Sequence, residues 1–172
     1  DRKDTKANLR ALAPGAAGKV PVYLDGELVV WESLAICETV AESHAALWPA
    51  SRVARAHARA ISNEMHAGFL SLRRSCPFDL KKQLEGETIN PEAGADVYRI
   101  THIWRETRER FGGGGPYLFG AEPNIADCMY APVVARITSY GIPVDETALA
   151  YVGAVWALPA MQEWKKAALA EP

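Results

Sequence analysis

The sequence predicts a partial α/β module followed by an all-helical domain. Three observations carry that reading. Residues 20–31 have strand character on both sides of an Asp25-Gly26 turn signal. From Ser33 the apolar residues switch to a spacing of three and four, and they keep it through most of the chain. Between the two patterns Leu47-Trp48-Pro49 acts as punctuation, which divides the chain into residues 1–46 and 47–172.

The elements follow in order. Residues 1–18, DRKDTKANLRALAPGAAG, are polar and then Ala/Gly/Pro-rich. Thr5 to Leu12 could make one or two helical turns before Pro14-Gly15, and the segment reads as a loop leading into a hairpin. Val20, Val22 and Leu24 alternate with Pro21 and Tyr23, and Leu28 to Trp31 form the returning strand. Leu34, Ile36, Cys37, Val40 and Ala41 then mark a helix to about Ala46, with Ser33 as its N-cap. A hairpin and one helix are marginal alone, so residues 1–46 are expected to be the second half of a small sheet-and-helix domain. The chain opens on Asp1 rather than methionine, which is expected of a processed or truncated chain or of part of a longer one.

The remainder is helical. Ser51 is the expected cap of one long helix to about Ser75, through Ala54, Ala58, Ile61, Met65, Phe69 and Leu72. Residues 78–94 read as a polar loop. Val97, Ile100, Trp104, Thr107 and Phe111 mark the next helix, with Arg99, His102, Arg105, Glu106 and Glu109 on a solvated face. Gly112 to Gly115 reads as a flexible loop and not a phosphate loop, because neither a preceding strand nor a following Lys-Ser/Thr frames it. Asn124 and Asp127 have the spacing of a capping box, and the helix they open has little polar face, so it is expected at the buried centre. A helix from Glu146 to Ala157 follows. Pro159 opens a last one, with Met161, Trp164 and Leu169 inward and Lys165 and Lys166 outward.

Composition narrows the function. The chain has 172 residues, 49% apolar and 23% charged, so it can bury a sizeable core. A net charge of -2 argues against nucleic-acid binding driven by electrostatics. No apolar run reaches eighteen residues and no signal peptide is visible, so no membrane role is expected. Cys37, Cys76 and Cys128 lie far apart, without CxxC or Cys/His metal spacing. They read as small buried apolar residues of a protein in a reducing compartment, here the cytoplasm, and no metal is expected.

One stretch points to a ligand. In KVPVYLDGELVVWES, residues 19–33, an acid and a hydroxyl stand where strand turns to helix. A helix start exposes unpaired N–H groups and a positive dipole end, which suit an anion. With its flanks, GKVPVYLDGELVVWESLAICETVAE resembles the second half of the thioredoxin-like domain of cytosolic glutathione transferases. YLFGAEPNIADCMYAPVV resembles the capping motif of their helical domain, and LPAMQEWKKAAL the ending of many bacterial members. The style is closest to bacterial serine- or cysteine-type, zeta-like members.

The resemblance implies a partial thioredoxin-like domain, an all-helical C-terminal domain and glutathione as co-substrate. It implies that Pro21 is a cis-proline and that Val20 offers its backbone to the cysteinyl part of glutathione. Glu32 would hold the γ-glutamyl ammonium, and Ser33 the carboxylate. Lys19 either reaches the glycine carboxylate or is simply exposed. Asn124 and Asp127 take a structural role. Met65, Phe69 and Arg73 are candidates for the electrophile pocket, the alternatives being core packing for the first two and a solvated charge for Arg73. The residue that activates the sulfur belongs, in the family, to the first strand–helix segment. No residue here matches it, Tyr23 and Cys37 included, and the catalytic residue is left unassigned. The implied function is conjugation of the glutathione thiolate to a small hydrophobic electrophile, by a homodimer. A glutathione-dependent isomerase and a non-catalytic interaction module of the same fold are the alternatives.

Overall fold

The protein is described by a computed structural model covering residues 2–16, 18–84, 86 and 89–171. It divides into two units, Asp1–Trp48 and Pro49–Pro172.

In the first unit, α1 (Arg2–Leu12) precedes a short 3₁₀ turn at Pro14–Ala16. The segment read as a loop is therefore a three-turn helix; Ala, Leu, Lys and Arg are strong enough helix formers to hold it until Pro14. Next come β1 (Val22–Asp25) and β2 (Leu28–Trp31), an antiparallel pair in which Val22 faces Trp31 and Asp25 faces Leu28. The hairpin loop is thus Gly26-Glu27, one residue later than the Asp25-Gly26 reading. Gly26 takes φ 59 at the first central position, a conformation that glycine adopts without strain. Gly15 is demanded by packing instead: a Cβ there would stand 2.5 Å from the Trp31 ring. Helix α2 (Ser33–Ser43) packs on both strands, ends earlier than Ala46, and gives way to a second 3₁₀ turn at Ala45–Leu47. The Trp48 indole donates to Glu38 Oε2 at 3.2 Å and is buried.

The second unit holds α3 (Arg52–Ala67), α4 (Leu70–Ser75), α5 (Pro91–Phe111), α6 (Ile125–Ser139), α7 (Glu146–Trp156) and α8 (Pro159–Ala170). The single helix expected to run to Ser75 is two. Phe69, buried, sits in the left-handed region at φ 59, and Gly68 closes α3. The Ser51 side chain makes no cap bond. Helix α5 starts earlier than the expected loop allowed, because Asn90 Oδ1 accepts from Ala93 N–H at 2.8 Å and Pro91 occupies the first helical position. The glycine run is closely fitted at its ends: a Cβ on Gly112 would lie 2.6 Å from the Arg108 carbonyl oxygen and one on Gly115 2.2 Å from that of Gly120, whereas Gly113 and Gly114 have open space around them.

Helix α6 is the hub, packed on α3 and α7. Tyr130 and Tyr151 clasp the Trp104 indole, with ring centroids 5.7 and 4.7 Å away, and all three side chains are fully buried. Tyr130 OH donates to the Ile61 carbonyl at 3.2 Å, tying α6 to α3. At the far end of α6, Arg136 Nε donates to Cys76 O, Ser139 Oγ to Asp79 O and Tyr140 OH to Pro77 O, which pins the segment after α4. The outer face of α5 is partly paired: Arg99 forks onto Glu64 at 2.7 and 2.9 Å, and Arg105 pairs with Asp145. On α8 only Met161 is buried. Trp164 and Leu169, expected inward, are exposed, although Trp164 stacks on Phe78 at 5.1 Å; Lys165, expected outward, is half-buried, its ammonium over the Trp156 ring.

Asp127 is the polar centre of this unit. The Asn124 side chain accepts from Ala126 N–H at 2.9 Å, and Asp127 Oδ2 accepts from Asn124 N–H at 2.9 Å, closing the capping box. Oδ1 also accepts from Leu118 N–H at 3.1 Å and Tyr151 OH at 3.0 Å. Burial pushes this carboxyl up from its ordinary range, while the three donors pull it down. Asp127→Ala strands two buried donors besides the cap, so we expect a loss of about 3 kcal/mol or more, read as a fall in thermal or urea midpoint. A loss near 1 kcal/mol would mean that only the cap matters.

His57 Nε2 lies 2.8 Å from Thr107 Oγ1, and the imidazole packs against the stacked pair of Phe111 and Phe119. Burial first, then Arg110, lowers its pKa from 6.5. The fold therefore favours the neutral ring. Its contribution is complete above pH 6.5 and is lost as pH falls through the lowered value. The melting temperature should drop between pH 7.5 and 5, and His57→Gln should flatten that part of the profile.

Candidate functional site

The junction of β2 and α2 is built by backbone strain. Glu32, between the last residue of β2 and the first of α2, has φ 70 and ψ 123, outside the basins open to L-residues. Such a conformation costs on the order of 1–3 kcal/mol and persists only where its surroundings over-determine it. Here it turns the chain from an extended strand into a helix with no intervening loop. Ser33 is consequently the first helical residue, not the N-cap expected from the sequence; Glu32 is the N-cap and makes no side-chain cap bond. The first helical hydrogen bond runs from Ile36 N–H to Glu32 C=O at 3.0 Å. The amides of Ser33, Leu34 and Ala35 stand ahead of that bond, at the positive end of the helix dipole.

The other candidates of this stretch lie just before β1. The Val20–Pro21 peptide bond is cis, and Val20 is 72% exposed. Lys19 is exposed, its N–H bonded to Ala16 O at 2.9 Å. Val22, the residue after Pro21, pairs with Trp31, the residue before Glu32. The hairpin register therefore carries Val20, Pro21, Glu32 and Ser33 at the same end of the β-ladder. A cavity of about 200 Å³ in this unit lies at the other end, lined by Tyr23, Asp25, Thr39 and His44 among others, and none of the four candidates borders it.

Neither nucleophile of this unit is activated. Burial and Glu38 raise the Cys37 thiol, and Asp25 raises the Tyr23 phenol. Both shifts keep the proton on.

The proposed electrophile residues are engaged within the helical unit. Met65 and Phe69 are buried, at 3% and 8% exposure. Arg73 is not a solvated charge: its guanidinium donates to the carbonyls of Met65, His66 and Gly68, satisfying the end of α3 across the break. The sequence carried no signal for this, since an arginine that caps a preceding helix looks like any surface arginine. The positive φ at Glu32 was equally hidden, because glycine or asparagine is the usual mark of such a position.

Residues 95–166 match the family described as glutathione S-transferase, C-terminal domain. That match lies within the helical domain and covers less than half of the chain. The fold is similar to that of solved glutathione transferases, which align over nearly all of the chain. A glutathione transferase homolog from Burkholderia gl BGR1, with bound glutathione, is 24% identical with a TM-score of 0.66, over 90% of this chain and 75% of that one. A maleyl pyruvate isomerase, a bacterial glutathione S-transferase of the zeta class, is 23% identical at a TM-score of 0.67, over 97% and 80%. A theta-class glutathione S-transferase from Xanthomonas axonopodis pv. citri, with glutathione bound, is 22% identical at 0.59, over 91% and 75%. No curated protein matches the chain. Among the described residues no cluster of His, Cys, Asp or Glu could hold a metal ion, and no helix is long and apolar enough to cross a membrane.

Glycine relieves positive-φ strain, so Glu32→Gly should raise the unfolding free energy by about 1 kcal/mol, even after the entropy that glycine adds to the unfolded chain. Differential scanning calorimetry tests this; a lower midpoint would show that the Glu32 side chain holds the junction more strongly than its backbone strains it.

Proposed function

We infer that this chain binds glutathione at the β2–α2 junction, and that the protein conjugates the glutathione thiolate to a small hydrophobic electrophile. The observation that carries the reading is the junction itself. A strained Glu32 sets a carboxylate beside a helix start whose leading residue is a hydroxyl-bearing Ser33. The γ-glutamyl end of glutathione carries an α-carboxylate and an α-ammonium. The open amides and hydroxyl of Ser33 complement the first, and the Glu32 carboxylate the second. The exposed backbone of Val20 offers an N–H and a C=O to the cysteinyl part, as an added strand would use them. Lys19 is free to approach the glycine carboxylate. Glutathione-bound neighbours of the same fold support this choice of ligand.

Conjugation needs the thiolate, since a thiol near pKa 8.5 is mostly protonated at neutral pH. The residues of this junction anchor the tripeptide; none of them is a donor assigned to the sulfur. Leu24, Val29 and Trp31 are exposed on one face of the hairpin, and we assign that apolar surface to a homodimer contact, in a cytoplasmic protein.

Isothermal titration with glutathione tests the site. Ser33→Ala should weaken binding about tenfold, the equivalent of about 1.4 kcal/mol for a charge-assisted hydroxyl contact. Binding that is unchanged in this variant, or absent from the parent chain at millimolar glutathione, removes the assignment.

A further inference from the structure

The helical domain contains a cavity that the glutathione reading does not use. It has a volume of about 680 Å³ and lies between α5, from Gly94 to Arg105, the Gly141–Asp145 turn that joins α6 to α7, and Gly86 and Ile89 ahead of α5. That is within the range of about 300–1,000 Å³ typical of small-molecule sites. Val97, Ile142, Pro143 and Val144 give it apolar walls, and the ring of Tyr98, 72% exposed, borders it.

Two features make it more than a packing defect. The first is Gly94, which lines the cavity from inside α5. Glycine within a helix costs about 0.5–1 kcal/mol relative to alanine. Gly94 stands in the first turn of α5, and a Cβ there would meet nothing within 4 Å. The missing side chain leaves space, not contact. The second is Arg105, which borders both this cavity and a smaller polar one of about 300 Å³ shared with Arg108, Gly115 and Thr147. Among the described residues Asp145 is the one hydrogen-bond partner of Arg105, through Nη2. A guanidinium has five donors, so most of the fork is left for an acceptor. Asp145 is itself divided: its Oδ1 accepts from Ala148 N–H at 2.9 Å and caps α7. Arg108 is turned the other way, onto the carbonyls of Thr147 and Gly115.

We propose that this cavity binds a small aromatic carboxylate, the ring between Val97, Ile142 and Tyr98 and the carboxylate on the open side of the Arg105 fork. A flat apolar body matches the walls, and a bidentate acceptor matches the guanidinium. Glu109 borders the polar cavity, which sets the anion at Arg105 rather than further along the helix.

Isothermal titration of the full chain with naphthalene-2-carboxylate tests the proposal, with naphthalene-2-carboxamide as the uncharged counterpart of the same shape. We expect one saturable site, filled below about 1 mM, and an amide about ten times weaker. Arg105→Gln should weaken the carboxylate about tenfold and leave the amide nearly unchanged, so that the two ligands bind alike. Gly94→Phe puts a ring into the empty space and should abolish binding of both, while circular dichroism confirms an intact helical fold. Absence of saturable heat overturns the proposal. So does an amide as tight as the carboxylate, or an unchanged affinity in a folded Gly94→Phe. Should Gly94→Phe fail to fold, the charge comparison across Arg105→Gln decides alone.

Discussion

One buried carboxylate organises the helical domain. Asp127 reaches back to Asn124 N–H, across to Leu118 N–H and sideways to Tyr151 OH. Those three donors come from the start of α6, from the turn after the glycine run, and from α7. A carboxyl group with 1% exposure is tolerable only because the oxygens in use meet donors. Tyr151 then delivers its ring to Trp104, and Trp104 meets Tyr130, whose hydroxyl holds α3. The aromatic core and the polar centre are thus one connected structure.

The hairpin unit rests on the opposite device. Where Asp127 satisfies every donor, the β2–α2 junction stores strain and leaves donors open. Glu32 at positive φ and the amides leading α2 are both unfavourable for folding taken alone. They coincide at one point, at the Val20–Pro21 end of the ladder, and the proposed glutathione site rests on that coincidence. The arrangement also explains why Ser33 is not the N-cap: it is the first helical residue, and Glu32 holds the cap position. A first-turn hydroxyl is not committed to its own helix.

How much of this was legible in the sequence depended on how local the controlling interaction was. The hairpin, α2 and the capping box of α6 are set by neighbours within a few residues, so alternation, spacing and the Asn124–Asp127 pair sufficed to find them. The start of α5 was also local, in Asn90-Pro91, but a polar run on either side masked it. What stayed hidden was decided at a distance or by backbone geometry. Phe69 breaks the α3–α4 helix in a left-handed conformation that its identity does not advertise, and Arg73 makes the break tolerable by capping it. Trp164 and Leu169 have inward spacing, yet α8 lies at the rim, where only Met161 is covered. The glutathione candidates came from the resemblance of residues 19–33 to a known family, and the residue types agree with the chemistry of the peptide. The strain that presents them was not visible.

The two units differ in what holds them together, and that difference bears on function. The helical domain is closed by long-range bonds and a buried aromatic cluster. The hairpin has two strands, with Leu24, Leu28, Val29 and Trp31 all exposed, and a two-stranded sheet is marginal in water. On the proposed reading, the junction also draws on its ligand. A ligand that spans Val20 and the start of α2 joins the strand entry to the helix and stabilises the bound form by RT ln(1 + [L]/Kd), about 2.7 kcal/mol at a hundredfold excess over Kd. That is comparable to the strain at Glu32. On the proposed reading, glutathione offsets the distortion that its own recognition requires, and the site is most ordered when it is occupied.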